Sequence, residues 1–72
     1  FLSDALDSGD TAVVAAALGV IARTKGMREL AKQTGLSRES LYKALREDGN
    51  PELNTTLKVV RALGLKLTAQ AA

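Results

Sequence analysis

Residues 27–46, MRELAKQTGLSRESLYKALR, set small or apolar side chains at Leu30, Ala31, Thr34, Gly35, Leu36, Leu41 and Ala44. Two short helices that cross steeply need a small residue where they touch, here Ala31. They also need a sharp turn, here Gly35, because glycine takes positive φ without strain. Leu30, Leu36, Leu41 and Leu45 then fill the space beneath the pair, and the polar residues between them face outward. This spacing predicts a helix-turn-helix over residues 27–47, a unit that holds its second helix in a DNA major groove. A helical bundle whose tight turn plays no part in DNA binding satisfies the same apolar spacing.

Complete helices flank the motif. Residues 1–7 read as a short helix with Phe1, Leu2, Ala5 and Leu6 on one side. Ser8-Gly9-Asp10 is a turn, and Asp10 is a good N-cap for a helix over 11–25. In it Val14, Leu18 and Ile21 recur at i, i+4 and i+7, and Ala15, Ala17 and Ala22 widen the stripe. Gly19 inside that helix costs roughly 1 kcal/mol relative to alanine, which points to a close crossing there. Gly26 supplies a left-handed stop. The next helix, 27–34, lacks a good N-cap. Ser37 caps a helix over 38–47, with Glu39 in its first turn where a negative charge suits the dipole. Asp48-Gly49-Asn50-Pro51 is a loop. Asn54 or Thr55 opens a helix over 57–63, ended by Gly64, with Leu65 placed to close the stop by an apolar contact. Residues 65–68 alternate like a short strand, and the tail 69–72 is expected to fray. The expected fold is a compact all-α bundle of about five short helices in one domain, 1–72.

A chain of 72 residues buries only about 60% of its unfolded surface, so a dimer would add useful stability. Cysteine and histidine are both absent. Disulfides, thiolate metal sites and ordinary histidine acid–base chemistry are therefore ruled out, and no cofactor, metal or catalytic residue is assigned. The longest apolar run, 12–18, is far shorter than the roughly 20 residues of a membrane span. No basic n-region followed by an apolar stretch opens the chain, so no signal peptide is expected and the cytoplasm is the expected compartment. A start at Phe1 rather than Met reads as a fragment or a processed form.

The net charge of +2 is unevenly placed. Residues 1–22 carry Asp4, Asp7 and Asp10 and no base, whereas residues 23–46 carry seven bases and two acids, 7 − 2 = +5. Residues 47–72 balance three of each. The basic block coincides with the motif, as a phosphate-facing surface requires, although a solvated face has the same composition. Ser37, Arg38, Glu39, Tyr42, Lys43 and Arg46 point outward on the second helix of the motif. Arg38 suits a bidentate contact to guanine, or is a solvated arginine. Glu39 suits cytosine N4 or the orientation of Arg38. Tyr42 suits a sugar or a thymine methyl, or lies on the domain surface. Lys43 and Arg46 fit phosphate better. Arg28, Lys32, Gln33, Asn54, Thr55 and the N–H groups opening the last helix are further phosphate candidates.

Three other patterns carry little. Ser40-Leu41-Tyr42-Lys43 matches S-x-x-K, without the additional motifs and large cleft that its enzymes need. Asn54-Thr55-Thr56 matches a glycosylation sequon but reads as a helix start. Glu47, Asp48 and Glu52 lack calcium-loop spacing.

The stretch AAALGVIARTKGMRELAKQTGLSRESLYKALREDGNPELNTTLKVVRALGLKL resembles the addiction-module antidote family. Its members are HigA-like antitoxins with a lambda-repressor-like (Xre/Cro-type) helix-turn-helix. GLSRESLYKAL, the GNP loop and TLKVVRALGLKL carry the likeness, which covers about residues 5–68. The resemblance implies a small bacterial or phage-type regulator encoded beside a RelE/ParE-like toxin. Such a protein binds and neutralises the toxin, represses its own operon as a homodimer, and is drawn to the nucleoid by DNA. The family's DNA-reading positions fall on Ser37, Arg38, Glu39, Ser40, Tyr42 and Lys43; its toxin-binding surface does not carry over by residue. Two such domains read a pseudo-palindromic operator with half-sites about 34 Å apart. Val59, Leu63, Leu65 and Leu67 are the candidate dimer surface, or else complete the monomer core. An Xre-type regulator without a toxin partner is the alternative.

Overall fold

The computed structural model describes residues 1–71 and contains five helices. They are α1 (Leu2–Asp7), α2 (Thr11–Lys25), α3 (Met27–Thr34), α4 (Arg38–Ala44) and α5 (Leu53–Ala62). Ala72, the last residue of the tail expected to fray, lies outside the described residues.

Local chemistry sets most of the boundaries. Asp10 is extended, and its carboxylate accepts the Ala12 N–H at 2.9 Å, which starts α2. Gly26 ends α2 with φ 108° and ψ 121°, a positive φ but not the left-handed helical conformation expected. It is also the N-cap of α3, so a single residue joins the two helices. Gly35 does adopt that conformation (φ 75°, ψ 7°), and its N–H donates to Ala31 O at 2.9 Å. The Thr34 hydroxyl tightens the same turn by donating to Leu30 O at 2.8 Å and accepting the Leu36 N–H at 3.2 Å. Ser37 then caps α4 through its Oγ, which accepts the Ser40 N–H at 3.0 Å.

Three elements differ from the sequence expectation. The fourth helix stops at Ala44 instead of running to 47. Leu45 leaves helical geometry (φ −103°, ψ 13°) as its side chain enters the core, and the Gly49 N–H folds back onto Arg46 O at 2.8 Å. The fifth helix begins at Leu53, several residues earlier than expected. Pro51, with fixed φ and no N–H, ends the loop, and Thr56 N–H closes the first turn on Glu52 O at 2.9 Å. Glu52 is therefore the N-cap, and Asn54 and Thr55 lie inside the helix. Residues 65–68 form no strand, and among the described residues there is no strand to pair with them. Gly64 ends α5 as expected. Its N–H donates to Arg61 O and the Leu65 N–H to Val60 O, both at 3.0 Å, which is the paired bonding of a Schellman stop.

The core is built where α2, α3, α4 and α5 meet. Leu18, Leu30, Leu41, Leu45 and Val59 are its fully buried large side chains, with Ala22, Met27 and Val60 beside them. Each such aliphatic side chain contributes roughly 1.5–3 kcal/mol relative to exposure. Leu36, Ala31 and Ala44 pack against this cluster from the turn and its helices. Gly19 faces the Leu45 carbonyl of the α4 terminus, so the close approach expected at this glycine is to the backbone at a helix end. Lys25, at the end of α2, donates its ammonium to the Ala62 carbonyl at the end of α5, where a cation suits the helix dipole.

Candidate nucleic-acid interface

The α3–turn–α4 pair separates α4 into two sides. Leu41 is fully buried and Ala44 is packed on the core, which anchors one side. Arg38, Glu39, Ser40, Tyr42 and Lys43 are exposed on the remainder. Rigidity comes from below: a buried Leu41 and a left-handed Gly35 fix both the rotation of α4 and its angle to α3. At the N-terminus of α4, Ser37 and Ser40 share a hydroxyl–hydroxyl bond of 2.9 Å in addition to the cap. These two hydroxyls therefore stiffen the first turn, from which Arg38 and Glu39 project.

A cleft of about 480 Å³ runs between α4 and the start of α5. It brings together Ser40, Lys43, Arg46 and Thr55, which the sequence had placed in two separate helices. Arg46 lies beyond the end of α4, and its Nε is 3.0 Å from Asp48 Oδ1. Both partners are largely exposed, so this pair is weak, and the arginine is partly neutralised in place. Asn50 also lines the cleft. It was missed in the sequence because a GNP loop looks like a connector rather than a site. Glu52, the N-cap, makes no side-chain cap bond, which leaves first-turn N–H groups of α5 without a side-chain partner. Such groups favour an anion.

The remaining phosphate candidates are dispersed. Arg28, Lys32 and Gln33 are exposed on α3, where Gln33 Nε2 donates to Glu29 Oε1 at 3.1 Å. Gln33 lies beside Lys58 and Arg61 of α5 instead of the α4 cleft. These two bases escaped the sequence reading because the charge of residues 47–72 sums to zero. Asn54 is exposed on the first turn of α5 and does not line the cleft.

The candidate dimer residues separate clearly. Val59 has no exposed surface and belongs to the core of the single chain, which corrects its place on a face open to a second copy. Leu63 and Leu67 are half-buried against the same core. Leu65 is exposed, and with Leu57, Leu67, Arg61 and Lys66 it lines a groove of about 560 Å³. Among the described residues, no helix is long and apolar enough to cross a membrane, and no group of three or more acidic, cysteine or histidine residues is gathered to hold a metal.

A protein-family model described as "Probable addiction module antidote protein" matches residues 1–71. An uncharacterized protein of Haemophilus influenzae is 41% identical over 70 residues, covering 97% of this chain and 72% of that protein. No solved structure matches the chain.

Proposed function

Because the chain belongs to the family of probable addiction module antidote proteins, we propose that it is the antitoxin of a type II toxin–antitoxin module. It binds and neutralises a RelE/ParE-like toxin and represses its own operon through a lambda-repressor-like (Xre-type) helix-turn-helix formed by α3 and α4. One observation carries the DNA half of this reading. The exposed side of α4, held by Leu41 and capped by Ser37, presents Arg38, Glu39, Tyr42 and Lys43 within the most basic third of the chain. Arg38 and Glu39, on the first turn, meet base edges, with Tyr42 packing on a sugar or a thymine methyl. Ser37 and Ser40 add hydroxyl contacts. Lys43, Arg46 and Thr55 grip the phosphates that enter the α4–α5 cleft, and Arg28, Lys32, Gln33 and Asn54 extend the grip to either side.

A single domain of this size covers one half-site. We assign the two-fold contact to the exposed Leu65 and Leu57 with the flanking Leu63 and Leu67. The role is regulatory and calls for no catalytic residue.

Titration of binding to the protein's own promoter DNA against salt tests the DNA reading. Four bases assigned to phosphates, Arg28, Lys32, Lys43 and Arg46, predict a log–log slope of about −3 to −4 per half-site. No promoter complex at low salt would refute it. Co-expression with the toxin gene of the same operon tests the other half: the full chain restores growth and co-purifies with the toxin. Failure of both would leave a regulator without a toxin partner.

A further inference from the structure

Helix α2 is apolar on two sides, and only one of them packs into the core. On the other, Val13 and Val20 are 42% and 52% exposed. With Ala16 and the α1 residue Ala5 they line a groove of about 510 Å³. A helix that is apolar all round is normally covered all round. The floor is alanine, so an incoming helix can seat close to the α2 backbone. Asp4 and Glu47 are the charged side chains of the groove, and the Phe1 ammonium, 4.0 Å from Asp4 Oδ2, offsets part of their charge.

That charge decides among occupants. A nucleic-acid phosphate is repelled. A second copy placed by a two-fold axis would bring one acidic rim, Asp4 and Glu47, against another, which is unfavourable. A helix with an apolar stripe flanked by lysine or arginine satisfies both the floor and the rim. We infer that the α1–α2 groove is the docking site for a cationic amphipathic helix of the toxin. The inference rests on the antitoxin reading, which supplies the partner. No lining residue belongs to α3 or α4, so the chain can hold toxin and DNA together. Glu47 follows the α4 terminus closely in sequence, which puts the docked helix near the end of the DNA-facing element.

The test uses the full chain and the toxin of the same operon, with capture and promoter binding measured on the same preparations. Val20→Glu weakens toxin capture by about tenfold or more. The double variant Asp4→Lys, Glu47→Lys, which leaves the apolar floor and the fold intact, weakens it by a similar factor that shrinks as salt is raised. Promoter affinity stays within about twofold in Val20→Glu, because the groove and the α4 surface share no residue; in the double variant, where Glu47 adjoins Arg46, the added positive charge leaves promoter affinity equal or higher. Unchanged capture in both variants would overturn the proposal. So would a loss of self-association in Val20→Glu with capture intact, which would give the groove to a second copy. If the unmodified chain captures no toxin, the antitoxin reading itself fails, an outcome distinct from a misplaced groove.

Discussion

Replacing Gly19 by alanine pits two physical effects against each other, and the structure decides the sign. Glycine in a helix interior costs about 1 kcal/mol relative to alanine, so propensity alone predicts that Gly19→Ala stabilises the protein by that amount. The added methyl would collide with the Leu45 carbonyl oxygen, stand 3.5 Å from that carbonyl carbon, and crowd the Arg23 guanidinium at 3.3 Å. The arginine can swing away; the Leu45 backbone cannot, because its side chain is 1% exposed in the core. Overpacking of this kind costs about 1–3 kcal/mol. Subtracting the propensity gain leaves a net destabilisation of about 1 kcal/mol, a fall in Tm of about 4–8 °C for a domain of this size. Urea denaturation with a matched thermal melt measures it, and an unchanged m-value shows that the surface exposed on unfolding is the same in both proteins. The displaced Leu45 also moves the end of α4, so promoter affinity falls in the same variant. A variant more stable than the parent by about 1 kcal/mol would show that α2 and the α4 terminus are not in contact.

Other substitutions probe the supports of the same surface. Ser37→Ala removes the side-chain cap of α4 and costs about 1 kcal/mol by chemical denaturation, while Ser37→Gly costs only a few tenths. Leu41→Ala empties the floor beneath α4 and costs about 2–5 kcal/mol, enough to leave much of the protein unfolded at 37 °C by circular dichroism.

The sequence made α2 and α3 legible to the residue because their ends are chemical: Asp10 accepts an N–H, and Gly26 and Gly35 take positive φ. The end of α4 was not legible. Residues 45–47 continue a helical pattern, and what stops them is tertiary: Leu45 turns into the core and the Gly49 N–H folds back onto Arg46 O. At α5, Asn54 and Thr55 are good caps by type, but Pro51 ends the loop before they are reached and Glu52 takes the position. The alternation of residues 65–68 signals a strand only where another strand can pair with it. Val59 and Leu65 show the limit of periodicity: both stood as dimer surface or core, and only the packing tells that Val59 is buried and Leu65 exposed. On the candidate site, the outward residues of α4 were evident from their interleaving with Leu41 and Ala44. Their meeting with Asn50 and Thr55 depended on how the 45–52 loop folds back.

Competition between the promoter and an unrelated duplex, for the parent and Arg38→Ala at matched salt, tests most directly whether α4 reads DNA. The parent is expected to prefer its promoter by about a thousandfold or more. Arg38→Ala loses about 1–3 kcal/mol on the promoter while its binding to the unrelated duplex is nearly unchanged. Equal losses on both duplexes would reduce Arg38 to a phosphate contact, and absence of any promoter preference in the parent would contradict the reading of α4 as the recognition helix.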